Sequence, residues 1–167
     1  MKKFSSLVVG TLLFFAAAPA GAQAPVAPPP PQTPYGPPIS LEQAKTVMAG
    51  AETEARENHW NVVIAILDSG GNLVMLQRLD GAQFGSVEVA REKAYSAVAF
   101  RRPTKVFQDL VGQGGANLRL LRMTGATVLE GGIPIVADGK IIGGIGVSGA
   151  AGEQDAQVAQ AGIEALK

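Results

Sequence analysis

Apolar positions first recur at helical spacing just after Ser40. Leu41, Ala44, Met48, Ala51 and Ala55 form a stripe, widened by Val47, while Glu42, Glu52, Glu54 and Arg56 lie off it. This predicts an amphipathic helix ending near Asn58. Ser40-Leu41-Glu42-Gln43 matches a capping box, with Ser40 as N-cap. Val62 to Leu67 is six apolar residues without alternation, so this strand is expected to be covered on both faces. Asp68 to Asn72 is turn chemistry, and Leu73 to Leu76 is the returning strand of a hairpin.

A second helix is expected from Val87 to about Phe100, capped by Ser86. Its apolar stripe is Val87, Ala90, Ala94, Ala97 and Val98. Pro103 disfavours helix at Arg102 and starts a new turn. Short helical pieces are expected over Thr104–Leu110 and Asn117–Met123, separated by glycines. A second hairpin then spans Gly131 to Gly149, with its tight turn at Asp138-Gly139. Gly143, Gly144 and Gly146 are unusual inside a strand. They point to a bulge or close backbone approach, either by a flat ligand or by a neighbouring subunit. Glu153 to Lys167 reads as a closing helix with acidic residues at its positive end. Helix, hairpin, helices, hairpin and helix make an α+β fold, an antiparallel sheet covered by helices.

Composition divides the chain of 167 residues into three parts. Lys2 and Lys3, an apolar run from Leu7 to Ala18 and the small residues Ala20-Gly21-Ala22 read as a signal peptide over 1–22. Residues 23–38 form a proline-rich linker. Ala24 to Pro38 holds eight prolines, which favour an extended tether of about 45 Å at roughly 3.1 Å per residue. The globular domain is expected over 39–167, large enough for one core. A periplasmic or secreted location follows from this reading, with no stable membrane insertion after cleavage. The precursor carries 14 basic and 14 acidic side chains, and loss of Lys2 and Lys3 leaves 12 against 14. No basic stripe interleaved with aromatics suggests nucleic acid.

Classical catalytic patterns are missing. One histidine and no cysteine are present, no GxSxG elbow surrounds a serine, and no phosphate-binding glycine motif is found. Whether the protein is an enzyme therefore stays open. His59 is a candidate metal ligand, as an axial donor to haem iron, and continues the Ala55 stripe beside Trp60. Its alternative role is a helix C-terminal histidine near free carbonyls. Lys93 and Ser96 share one helix face, and Arg101 and Arg102 end that helix. Together they suit carboxylates such as haem propionates, because guanidinium binds them in bidentate fashion. The alternative is helix-end charge complementing the dipole. Tyr95 and Met75 are further iron-ligand candidates, with core packing as their alternative.

These segments together resemble the GlcG/HbpS family of haem-binding or haem-degrading proteins. The matching blocks are Val62–Asn72, Arg78–Ala82, Lys93–Ala97 through Phe100 to Arg102-Pro103-Thr104, Gly131–Ile135, Ile142–Gly149 and Asp155–Gly162. The resemblance implies a three-layer α/β/α-like domain, a homo-oligomer and a haem ligand, placed against the Lys93–Thr104 block. A corrinoid is a second, weaker implication. A haem-binding protein in haem handling or sensing is the leading reading. An enzyme acting on haem or a small metabolite, and a cofactor-free structural or sensory module, are its alternatives.

Overall fold

Ser40 opens the first helix as the capping box requires. Its Oγ accepts from the Gln43 amide at 3.2 Å, and Gln43 Oε1 accepts from the Ser40 amide at 3.0 Å. Helix α1 (Leu41–Glu57) buries Ala44, Val47, Met48, Ala51 and Ala55. Leu41, in the first turn, stays half exposed and does not join the stripe. The structure, a computed structural model, describes residues 32–167. The segment expected as a signal peptide and most of the proline-rich segment lie outside the described residues.

Strands β1 (Val63–Asp68) and β2 (Leu73–Arg78) form the first hairpin, and β3 (Gly132–Ala137) and β4 (Lys140–Ser148) the second. The turn at Asp138-Gly139 has φ of 50° and 70°, the doubly left-handed geometry that Asp-Gly tolerates. The strands assemble into one antiparallel sheet in the order β2-β1-β4-β3. Helix α2 (Ser86–Phe100) covers one face and packs on Val63, Ala65 and Leu67 through Ala90 and Ala94. Helices α1 and α4 (Gly152–Glu164) cover the other, over Val62, Ile64, Ile66, Ile145 and Val147. The result is an α+β fold in three layers. Both faces of β1 are covered, which is why its sequence shows no alternation.

Helix α3 (Lys105–Gly112) and a 3₁₀ helix (Gly115–Arg122) connect α2 to β3. Thr104 ties this excursion to the sheet: its amide donates to the Gly132 carbonyl, and its Oγ accepts from the Gly132 amide at 3.0 Å. Ser86 does not cap α2. Gly85 occupies that position, and the buried Ser86 hydroxyl meets Ser148 Oγ at 3.1 Å.

Gly144 and Gly146 of the second hairpin lie under α2, while Gly143 faces the Leu67 carbonyl and Ile39. A Cβ at Gly144 would lie 2.6 Å from Val98 Cγ2, and one at Gly146 would fall on the Ala90 carbonyl oxygen. The missing side chains let the helix backbone settle onto β4.

The end of the proline-rich segment is also part of the sheet layer. The Ile141 amide donates to the Pro34 carbonyl, and the Gly36 amide donates to the Ile141 carbonyl, each at 2.8 Å. These bonds continue the edge of β4 where β1 stops at Asp68. The pairing of β3 with β4 shifts register between Ile135 and Val136, and the Ile142 carbonyl accepts from Ile39 at 2.7 Å. Residues 34–36 are therefore hydrogen-bonded to the edge of the sheet.

Candidate functional site

Helix α2 was expected to present Lys93 and Ser96 to a ligand. It presents both to the interior. Lys93 is 3% exposed, and its Nζ donates to the Val147 carbonyl and to Asp155 Oδ2, each at 2.8 Å. Burial pushes the Asp155 carboxyl above its ordinary range, against the pull of Lys93 and of the Ala150 amide. Ser96 is fully buried and its Oγ accepts from the Thr127 amide at 3.0 Å, fixing the loop before β3. The face that carries these residues is the packed face of the helix. Lys93 and Ser96 therefore do not lie on the exposed face of the helix.

Arg101 and Arg102 are reachable but engaged. Arg101 ends α2 in the left-handed conformation, and its guanidinium lies 4.5 Å from the centre of the Tyr35 ring. The Tyr35 hydroxyl donates to the Val98 carbonyl at 2.8 Å, so the N-terminal segment clamps the end of α2. Arg102 donates to the Phe100 carbonyl and lies over Phe107.

His59 sits at the other end of the sheet. It does not continue the α1 stripe, because Asn58 caps the helix and His59 turns left-handed at φ 59°. Its amide still donates to the Arg56 carbonyl at 3.1 Å, which closes the helix, while its side chain points outward. Among the described residues no hydrogen bond or ion pair engages the imidazole. His59, Trp60 and Asn61 form a ridge between two open clefts. One, of about 410 Å³, is bordered by Ala55, Arg56, Leu79 and Asp80. The other, of about 350 Å³, is bordered by Gly81, Gln83, Gly149, Ala150 and Gln154.

These clefts lie at the Val63–Ser148 end of the sheet, and Arg101 lies beyond the Asp68–Gly143 end. Six residues of β1 separate them, roughly 17 Å at about 3.4 Å per residue. Within one chain the structure does not bring His59 together with Arg101 and Arg102. Arg56 is the guanidinium beside His59, and it is held by Glu52 at 2.6 Å.

Tyr95 is half exposed, with its ring between Gly71 and Gly125, and it borders a cleft of about 330 Å³ with Arg91 and Thr127. Met75 packs against the core under α1. Two groups escaped the sequence reading. Asp155 was read as a helix-end charge and is the buried partner of Lys93. Glu130, 7% exposed, is held by Gln108 and faces the same region. Only the three-dimensional neighbourhood identifies either. No group of three or more His, Cys, Asp or Glu able to hold a metal ion occurs among the described residues.

Residues 39–164 match the family described as "Haem degrading protein HbpS-like". Protein GlcG of Escherichia coli K12 is 41% identical over 110 residues, covering 66% of this chain and 81% of GlcG. The crystal structure of HbpS superposes with a TM-score of 0.72 at 33% identity, covering 85% of this chain and 99% of that one. The crystal structure of a PduOC:haem complex superposes with a TM-score of 0.70 at 32% identity, covering 77% and 94%. The chain belongs to the HbpS-like family.

Proposed function

We propose that this member of the HbpS-like family is a periplasmic or secreted haem-binding protein, with His59 as its iron ligand. The observation that carries the reading is the imidazole itself. It is exposed, without a hydrogen-bond or ion-pair partner among the described residues, and flanked by clefts on both sides. A neutral imidazole offers one ring nitrogen as a donor, and haem, where bound, supplies an iron that accepts it. The indole of Trp60 gives an adjacent flat apolar face. Arg56 keeps guanidinium N–H groups beyond those spent on Glu52, and these suit a carboxylate at the cleft edge. The haem bound by the structural relative PduOC supports the ligand class.

The location rests on the N-terminal sequence pattern, and assembly into a homo-oligomer on the resemblance to the family. The exposed Phe84, beside Gln83 of the second cleft, is apolar surface available to such assembly.

The test is a haem titration of the protein without residues 1–22. A Soret shift at micromolar haem is expected, and its absence overturns the reading. His59→Ala is expected to abolish or displace that band, and an unchanged spectrum removes His59 as the ligand. Hydroxocobalamin, titrated in parallel, decides whether a corrinoid competes.

The description of the matched family favours a second reading, turnover of haem. It predicts loss of the Soret band with reductant beyond that of free haem, in the presence of catalase. Loss equal to that of free haem leaves binding alone.

A further inference from the structure

A smaller cleft adjoins the second His59 cleft and shares Gln83, Gly149 and Ala150 with it. Lys93, Glu130, Ser148 and Asp155 line a cleft of about 220 Å³ at the start of α4. All four are more than nine-tenths buried, at 3%, 7%, 6% and 2% exposure. Among the described residues, Lys93 and Glu130 keep unspent hydrogen-bonding capacity. An ammonium carries three N–H donors. Lys93 spends two, on the Val147 carbonyl and on Asp155. Glu130 Oε2 accepts from Gln108 at 3.3 Å and lies 4.0 Å from Lys105 Nζ. Its Oε1 has no protein donor among the described residues.

Among these residues, no buried side-chain polar atom sealed from solvent lacks a partner. Oε1 therefore opens onto accessible space, and Glu130 borders the cleft. Lys93 Nζ is close by: a Cβ at Gly131, the residue after Glu130, would lie 2.9 Å from it. One unspent donor and one unspent acceptor among the described residues thus belong to side chains that line a single small cavity.

We infer that this cleft binds a small hydroxylated molecule, whose hydroxyl accepts from Lys93 and donates to Glu130. A hydroxyl is the neutral group that does both. Ions fit worse. Asp155 already neutralises Lys93, so Glu130 leaves the lining negative towards a carboxylate, and an ammonium would face that of Lys93. The volume is below the roughly 300 Å³ at which drug-sized pockets begin, which limits the ligand to a few carbons. Those carbons would lie against Val89 and Leu129, the larger apolar side chains of the lining.

The experiment is a ¹H–¹⁵N NMR titration with glycerol as the probe and acetate and methylammonium as comparators. Saturable shifts are expected for glycerol at residues 130–131 and 148–152, and not for either ion. Glu130→Gln is expected to weaken glycerol at least fivefold, because a charged acceptor makes the stronger hydrogen bond. Val89→Phe fills the cleft without removing a polar group and is expected to abolish the shifts. Unsaturable glycerol shifts, equal affinity in both variants, or saturation by an ion instead would each overturn the inference. Both variants are also titrated with haem. Each is expected to keep the Soret response, so the two readings fail separately.

Discussion

Lys93 Nζ on the second helix lies 2.8 Å from Asp155 Oδ2 on the last, across β4, with both side chains almost fully shielded. The pair joins the two helical layers through the sheet. Removing one partner strands a buried charge, which costs about 3–5 kcal/mol. Lys93→Met is therefore expected to lower stability by that amount at neutral pH, read by urea denaturation. The Asp155 carboxyl is already raised by burial, so the folded state holds its proton longer than the unfolded chain. Its contribution is greatest below the ordinary value of 3.8 and is lost as pH rises through the folded value. The penalty of Lys93→Met should accordingly shrink in acid, where Asp155 is neutral. A penalty independent of pH would show that the pair is not ionic.

Asp68 titrates in the opposite sense. Burial pulls its carboxyl upward, but hydrogen bonds from Asn72, Gly70 and Gly71 outweigh it and leave the net value lowered. Its stabilisation is present above the ordinary 3.8 and is lost as pH falls through the folded value. Asp68→Asn should cost about 1 kcal/mol at pH 7 and nothing at low pH, read from paired urea curves.

Gly146 is where α2 touches β4. A methyl there meets the Ala90 carbonyl and Ala94 backbone, which no rotamer can move aside. Gly146→Ala is expected to cost at least about 3 kcal/mol, the upper range for overpacking. A melting temperature within a few degrees of the parent would show that the helix can retreat.

His59 pays for its left-handed backbone in conformational energy, about 1–2 kcal/mol for an L-residue. His59→Gly should raise the melting temperature or leave it unchanged while abolishing the Soret shift. Loss of haem binding without loss of fold is the outcome that separates a ligand from a structural residue.

Tyr35 reaches from the N-terminal segment to the last carbonyls of α2. Tyr35→Phe removes that hydrogen bond and should cost about 1 kcal/mol. Tyr35→Ala also removes the ring under Arg101 and should cost more, by differential scanning calorimetry.

Much of the fold was legible because it is written in local rules. The Ser40–Gln43 box, the Asp138-Gly139 turn and the unalternating run at Val62–Leu67 each report a short-range constraint, and each sits where its pattern placed it. Ser86 was misassigned as a cap because a serine before an apolar stripe looks the same whether its hydroxyl turns to its own helix or to Ser148. His59 was placed inward by extending a period of 3.6 past the point where the helix stops.

The candidate site was far less legible. Lys93 and Arg101 share a helix and look alike as cations, yet one faces Asp155 and the other caps the helix over Tyr35. Glycines 144 and 146 announced a close approach without saying whose. Periodicity, capping and turn chemistry are properties of a few consecutive residues, and the amino-acid sequence by itself determined them here. Which charge is buried, how the imidazole is exposed and what fills a bare strand depend on residues far apart in sequence, such as Lys93 and Asp155, 62 positions apart. Only the tertiary structure decided those, because burial and pairing belong to the contact and not to either residue alone.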